Sequence, residues 1–312
     1  MTMALDESYL QYPRRRYGMD HDRYAWSMMT DRPPLVWPGG KILALWVNVC
    51  LQHFPMNPRG LPVKLPGAMS MPYPDLRHCT LRDYGNRVGI YRFLKAFDHF
   101  GVRPSFAINA RLAERYPALM DAVKARGDEV IGHSWSMDTP HAGGLSLADE
   151  SDLIDRSLDT LRRLSGQAVR GWLGPGKLQT ENTPELLRAR GISYFGDWVN
   201  DELPYRFHTA CGDLWAMPLS TELEDRFVVM DNQHSEASWA QQVCDACDLL
   251  LVEAQAQGGR LLTLNLHPWV LGQPHRIRHL EAALAHVMAQ PGVWSASPGE
   301  ILDVAARQIP AA

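Results

Sequence analysis

Histidines stand at the carboxyl-terminal ends of two segments that look like buried strands. His133 follows Ile131-Gly132, and His267 follows Asn265-Leu266. A carboxylate, Asp197, lies at the end of a third such segment. Histidine exchanges protons near neutral pH, and a carboxylate can orient it or act as a base. These residue types predict hydrolysis or proton transfer, with His133, His267 and Asp197 as the catalytic residues.

Polar residues recur at nearly every predicted strand end, which exceeds what packing alone requires. Parallel strands that alternate with helices end at one rim, and that rim carries the active site in α/β barrels. A lone Asn at a strand end is more often a turn or cap residue than a functional one. For Asn109 this is the alternative to a role in the active site. The rim residues are Asn48, Gln52, Asn109, His133, Asp138, Gly174 to Lys177, Asp197, Glu222, Glu224 and His267.

The apolar pattern of the chain predicts the elements that position this rim. Strands are predicted at 42–51, 103–109, 129–134, 169–173, 192–198, 260–267 and 293–297, with shorter extended segments at 214–219 and 227–230. Helices are predicted at 86–100, 112–126, 148–165, 184–190 with Thr183 as its N-cap, 236–257 and 275–288. This alternation predicts an α/β fold, a barrel or sheet of about seven parallel strands.

The chain contains no internal repeat and no linker, so we predict one domain over residues 1–312. Its first 40 residues are rich in Pro, Arg and Tyr and form an arm that packs on the body or on a neighbouring subunit. Residues 55–74 contain many prolines and glycines, which predicts a long loop that serves as a lid or an interface.

Composition excludes several classes of protein. A net charge of −4 gives no footprint for nucleic acid, and no apolar run reaches the roughly 18 residues that cross a bilayer. The N-terminus lacks a secretory signal, and five cysteines do not make a disulfide framework. No glycine-rich phosphate loop or serine-hydrolase elbow is present. We expect a cytoplasmic protein with a small-molecule substrate and neither a nucleic-acid nor a membrane partner.

Five short stretches, in order along the chain, resemble the polysaccharide deacetylases of carbohydrate esterase family four. Within that family the chain looks like the small-molecule branch of metal-independent bacterial allantoinase and cyclic imide hydrolase. The resemblance extends over residues 12–301 and implies a distorted (β/α) barrel of about seven strands and a homo-oligomer, a tetramer in that branch. The stretches are 84–89 (Tyr-Gly-Asn-Arg-Val-Gly), 132–135, 171–172 with 182–183, 197 with 201–205, and 266–267 with 272–274.

The chain departs from the metal-dependent deacetylases at two of three expected ligand positions. Those enzymes carry an Asp-Asp pair after the first strand, where this chain has Asn48-Val49-Cys50-Leu51-Gln52. The second histidine of their next motif is replaced by Met137. Because a stable zinc site has three or four protein ligands, we predict no metal and no other cofactor. The alternative is zinc in a rebuilt site that uses Cys50, His53, Asp138 or His141.

The resemblance also assigns roles to individual residues. His267 matches the general acid of the family, His133 would polarise the carbonyl or activate water, and Asp197 would orient one of them. Without a metal, hydrogen-bond donors must stabilise the oxyanion. Lys177 is a replacement cation or a surface residue, and Arg87 binds a carbonyl or only pairs with Asp83. The predicted substrate-binding residues are Asn48, Gln52, Arg87, Trp135, Gly174, Lys177, Trp198 and Glu222, with core packing as the alternative for the tryptophans.

Three functional hypotheses follow. The first is a metal-independent hydrolase of the carbon–nitrogen bond of a small cyclic amide, imide or ureide. The second is a metal-dependent polysaccharide or amino-sugar N-deacetylase with a rebuilt metal site. The third is a ligand-binding pseudoenzyme, which the missing carboxylate at the first strand end favours.

Overall fold

The computed structural model describes residues 21–56, 76–142 and 144–310. Nine strands in these ranges belong to one sheet. They are β1 (Leu43–Leu51), β2 (Pro104–Ile108), β3 (Glu129–Gly132), β4 (Gly171–Trp172), β5 (Tyr194–Phe195), β6 (Tyr205–Phe207), β7 (Leu214–Ala216), β8 (Arg260–Leu266) and β9 (Val293–Ser295). The strand order is β6-β7-β5-β4-β3-β2-β1-β8, and β9 pairs with the start of β1.

Helices follow most strands and cover the sheet. They are α1 (Leu76–Tyr84), α2 (Ile90–Phe100), α3 (Ala110–Arg115), α4 (Pro117–Arg126), α5 (Leu147–Ser165), α6 (Thr183–Ala189), α7 (Glu236–Gln257), α8 (Ile277–Met288) and α9 (Pro298–Ala305). Two π-helical turns, Gly85–Gly89 and Arg226–Asp231, lie next to the cavity described below. None of the described helices combines the length and apolarity needed to cross a bilayer.

The central strand β1 explains the architecture. All nine of its residues are buried, as a parallel strand covered on both faces requires. It pairs in parallel with β2 on one side and β8 on the other. Every described strand except β6 runs in this direction, so the carboxyl ends lie at one rim. The predicted α/β barrel-like fold is confirmed, with eight parallel strands and one antiparallel strand, β6, that the apolar pattern did not show.

The sheet curves without closing, because β7 and β8 form no ladder in the described structure. Side chains bridge this opening instead. The Ser220 amide donates to Thr263 Oγ1 at 2.9 Å, and Asn265 Nδ2 donates to Glu224 Oε2 at 3.0 Å. The distorted barrel therefore has a seam, and this seam lies beside His267.

The structure corrects two local predictions. Residues 227–230 are not extended, because Arg226–Asp231 forms a π-helical turn that Asp225 caps by accepting from the Arg226 amide at 2.7 Å. Thr183 is not the N-cap of α6; it lies inside the helix and its hydroxyl donates to buried Glu150. Helix α9, which begins with a Ser297–Glu300 capping box, was not predicted.

The described part of the N-terminal arm packs on the body of the same chain. Trp37 is buried and donates to the Arg260 carbonyl at 2.8 Å. Arg23 pairs with Glu185 at 2.6 Å. Residues 1–20 of the arm and residues 57–75 of the predicted loop lie outside the described residues.

Candidate active site

A cavity of about 540 Å³ opens at the rim formed by the carboxyl ends of the parallel strands. It contains both predicted histidines and Asp197, so the sequence located the rim correctly. Its lining consists of Cys50, Gln52, Phe54, Arg82, His133, Met137, Leu173, Gly174, Gly176, Lys177, Leu178, Asp197, Val199, Thr221, Glu224, Arg226, Asp231, Asn265, His267 and Trp269.

His267 is held by a buried carboxylate that sequence reasoning missed. Its Nδ1 lies 2.8 Å from Asp225 Oδ1, and its backbone amide donates to Asp225 Oδ2 at 2.9 Å. Burial disfavours the charged imidazole, but the Cys50 thiol and the Asp225 carboxylate outweigh it and raise the pKa of His267 to about 10. His267 is therefore a protonated acid at neutral pH, and Asp225 is the residue that orients it.

His133 has neutral partners. Its Nδ1 lies 2.5 Å from the Leu173 carbonyl oxygen, which can only accept, so Nδ1 carries the proton. Its Nε2 lies 3.2 Å from Gln52 Nε2 and accepts from that amide. Burial lowers the pKa of His133 to about 4. Neutral His133 thus presents an acceptor nitrogen to the cavity, which favours the predicted role of activating a nucleophile over the role of polarising a carbonyl.

Asp197 lines the cavity but orients neither histidine, which corrects its predicted role. Its Oδ1 accepts from the Gly174 amide and its Oδ2 from Gln179 Nε2, both at 2.7 Å. Burial raises the pKa of Asp197 to about 7. A side chain on Gly174 would meet the Leu178 carbonyl oxygen at 2.4 Å, so only glycine fits here. Asp197 therefore fixes the loop that forms one wall.

Lys177 is a cation of the cavity and not a surface residue. Its Nζ donates to the Leu219 carbonyl at 2.7 Å and to Thr221 Oγ1 at 2.8 Å, and it lies 3.5 Å from Glu224 Oε2. Burial would raise the pKa of Glu224, but His267, Lys177 and Arg226 lower it to about 2. The seam side of the cavity therefore carries an ionised network.

Five predicted substrate-binding residues do not line the cavity, and one of them, Asn48, lies beneath its floor. Arg87 is exposed over 72% of its side chain and lies 4.0 Å from Asp83, the local pair that was the alternative. Glu222 is exposed, because the chain turns here and directs Glu224 inward instead. The other two are Trp135, which is buried beneath Arg156, and Trp198, which donates to Gln179 at 3.0 Å.

Two predicted substrate-binding residues, Asn48 and Gly174, already use their donor groups within the protein. Asn48 Nδ2 donates to Asn265 Oδ1 at 2.8 Å beneath the cavity floor, and the Gly174 amide donates to Asp197. Gln52 remains beside His133. The charged lining residues Arg82, Lys177 and Arg226 are thus the groups placed to meet a developing negative charge.

The residues present do not fit the family's metal site. Met137 lines the cavity where the second histidine is expected. His141 has both ring nitrogens bonded, Nδ1 to Glu150 at 2.9 Å and Nε2 to Ser134 at 3.0 Å. Burial, with Arg111 and Arg115, lowers the pKa of His53 to about 4, and these cations oppose a metal ion there.

Elsewhere in the described ranges, three metal-ligating atoms come together at Cys247, Asp248 and His286, on the outer helices. None of these residues lines the cavity. Asp138, another candidate for a rebuilt site, accepts from Ser136. These residues therefore supply no set of three ligands for a rebuilt zinc site around His133.

Comparison with known protein families shows what this chain is similar to. Residues 82–195 match the model of the polysaccharide deacetylase family. Over this stretch, the chain is similar to that family. It is also 24% identical over 254 residues to a peptidoglycan deacetylase of Helicobacter pylori, a match that covers 70% of this chain and 84% of that protein.

Two solved structures share the fold. One is a probable polysaccharide deacetylase from Pseudomonas aeruginosa PAO1, with a TM-score of 0.81 and 24% identity, covering 96% of this chain and 100% of that one. The other is PuuE allantoinase, with a TM-score of 0.80 and 24% identity, covering 96% of this chain and 99% of that one. The family model and these neighbours support a hydrolase of carbon–nitrogen bonds other than peptide bonds.

Proposed function

We propose that the protein is a metal-independent hydrolase of a small cyclic amide, imide or ureide. One observation carries this proposal: a buried His267–Asp225 pair survives in a cavity that lacks the second histidine and the acidic pair of the metal-dependent enzymes. A volume of about 540 Å³ suits a small molecule. The fold shared with PuuE allantoinase supports the same substrate class.

The two histidines would act at opposite stages of the reaction. Protonated His267 would donate a proton to the leaving nitrogen, which stays attached to a ring-opened product. Neutral His133 would accept a proton through Nε2. Lys177 would stabilise the carbonyl oxygen as negative charge develops on it.

A flat ring also suits the apolar lining. Phe54 and Trp269 supply aromatic surface, and Leu173 and Leu178 supply aliphatic surface. Arg82 lies over the Trp269 ring at 4.1 Å and over the Phe54 ring at 5.3 Å, so a cation borders this apolar surface. Such a mixture recognises a small ring with polar carbonyl groups.

A metal-dependent N-deacetylase is the second candidate, and the setting of His133 favours it. A carbonyl fixes its Nδ1 while Nε2 points at the cavity, which is how metal-binding histidines are held. The Helicobacter pylori relative is named for peptidoglycan deacetylation. This candidate requires a ligand set other than the one described above, and it predicts that zinc copurifies.

The proposal further includes a cytoplasmic homo-oligomer, tetrameric as in the small-molecule branch that the sequence resembles. Light scattering after gel filtration measures the subunit number directly.

The deciding experiment measures turnover of hydantoin, succinimide, allantoin and dihydrouracil, beside N-acetylglucosamine oligomers, with and without a chelator. We expect ring opening that resists the chelator and disappears in His267→Ala. His275→Ala removes an exposed histidine outside the cavity and serves as the matched control. Acetate release that the chelator abolishes would establish the deacetylase instead. Ligand binding without any turnover would establish the pseudoenzyme.

A further inference from the structure

Cys50 lies on the cavity floor, and the roles given so far do not use it. It is the second-last residue of β1, is 3% exposed and lines the cavity. Its Sγ lies 3.2 Å from Asn265 Oδ1 and 3.7 Å from Asn48 Nδ2. A buried cysteine normally serves as a small apolar side chain, but the neighbours of Cys50 are polar.

The thiol also interacts with the general acid. Since Asp225 occupies Nδ1 of His267, the free Nε2 is the ring nitrogen available to Cys50. In the parallel ladder Asn48 of β1 pairs with Asn265 of β8, so Cys50 and His267, each two residues further along, lie side by side on the same face. Cys50 also interacts electrostatically with Lys177. Lys177 and His267 thus line the same cavity as Cys50.

The order thiol, imidazole, carboxylate is that of an activated nucleophile with its base and the group that orients the base. Here the three members come from separate elements: Cys50 from β1, Asp225 from the turn after β7, and His267 from the end of β8. The seam of the barrel brings them together.

We propose that Cys50 is the nucleophile of this site. The proposal rests on the proposed function, which supplies the carbonyl that Cys50 attacks. It also answers a chemical question that the missing metal ligands raise, namely what replaces a metal-bound water. A thiolate is a strong nucleophile without a metal.

The reaction balances as hydrolysis. The proton of the thiol already lies on His267, so Sγ bonds to the carbonyl carbon as a thiolate, and the carbon–nitrogen bond breaks as the imidazolium protonates the nitrogen. The product of this half is a thioester that still carries the amine of the opened ring. Water then attacks the thioester, His267 accepts a proton from that water, and the carbon–sulfur bond breaks. This step restores the thiolate and the protonated imidazole with which the reaction began.

The first arm of the test needs no substrate. Iodoacetamide is reacted with the whole protein, and the alkylation of each cysteine is followed by mass spectrometry. We expect Cys50 to react about tenfold faster than exposed Cys211, and His267→Gln to slow it about tenfold. Cys247, whose pKa burial raises to about 11, is the slow internal reference. If Cys50 reacts as slowly as Cys247, or ignores His267→Gln, the proposal is overturned.

The second arm uses the cyclic substrate that turns over, quenched in acid. We expect a Cys50 peptide that gains the whole mass of the substrate, because ring opening releases no fragment. Cys50→Ala is expected to lose about a hundredfold or more in turnover, and Cys211→Ala to lose none. Circular dichroism spectra show whether each variant is folded.

The two proposals fail in different ways. Chelator-resistant ring opening that persists in Cys50→Ala overturns the nucleophile and keeps the hydrolase. If the whole panel is silent but Cys50 shows fast, His267-dependent alkylation, the substrate class fails while the activated thiol stands.

Discussion

His267 and His133 face one cavity and are equally buried, yet their surroundings have opposite effects on them. His267 meets a carboxylate and a thiol, and its pKa rises to about 10 despite burial. His133 meets a carbonyl oxygen and an amide, and burial lowers its pKa to about 4. The charge of the partner residues, and not the degree of burial, makes the two pKa values differ.

The difference assigns the acid and the acceptor. Two titratable groups whose environments push their pKa values apart can serve as acid and base at the same pH. The seam side of the cavity, with Asp225 and Glu224, holds the proton. On the opposite side, with Gln52 and the Leu173 carbonyl, His133 Nε2 carries no proton.

Asp225→Asn should reduce the difference in pKa between the two histidines and should have the largest effect on activity. The amide removes the negative charge that holds the proton on His267, so the pKa of His267 should fall. We expect kcat to drop by about 10²–10⁴. The high-pH limb of the rate profile should also shift toward lower pH, since the acid then loses its proton earlier. Both are measured in steady-state kinetics on the cyclic substrate that the turnover panel identifies.

Asp128→Asn is the matched control, because Asp128 is a buried carboxylate outside the cavity that pairs with Arg126 at 2.5 Å. It should change stability and leave the rate profile in place. An Asp225→Asn enzyme with full activity would mean that His267 is not the acid.

The stability of the protein should show the same contrast as pH changes. The unfolded state binds a proton on His133 near 6.5 and the folded state only near 4, so stability falls as pH drops through this window. At about 1.4 kcal/mol per pKa unit, the loss is about 3 kcal/mol. His267 behaves oppositely: its contribution is complete below about 6.5 and disappears as pH rises through about 10.

His133→Gln should remove the His133 share of the acid-side loss and leave that of His53, as measured by urea unfolding at about pH 7 and about pH 4.5. His275→Gln, at an exposed position, should keep the slope of the parent protein. An unchanged slope in His133→Gln would mean that His133 titrates normally in the folded state.

Local patterns in the sequence were enough to locate the rim. The apolar run of β1 predicted a buried parallel strand, and the placement of His133 and His267 after strands predicted one active-site edge. These features depend on residues close together in sequence. The predicted segments therefore match the described strands β1, β2, β3 and β8 to within two residues at either end.

Pairings across the seam could not be predicted in the same way. Asp225 lies 42 residues from His267 and caps a turn of which residues 227–230 were predicted to be extended. The chain turns at Glu222, which leaves Glu222 exposed, and Glu224 lines the cavity in its place. The Glu-Leu-Glu-Asp stretch at 222–225 was the available signal, but it does not say which carboxylate meets a histidine.

Arg87→Ala should have the smallest effect on activity, because Arg87 lies outside the cavity that contains the two histidines. Its guanidinium is exposed and 4.0 Å from Asp83, and such pairs contribute about 0–1 kcal/mol. We expect kcat/KM within about twofold of the parent and an unfolding free energy changed by about 0.5 kcal/mol or less. Asp83 also accepts from Tyr116 at 2.8 Å, so it keeps a partner in this variant. A large loss of kcat/KM with unchanged stability would show that Arg87 reaches substrate in the assembled oligomer, and the cavity would then extend beyond one chain.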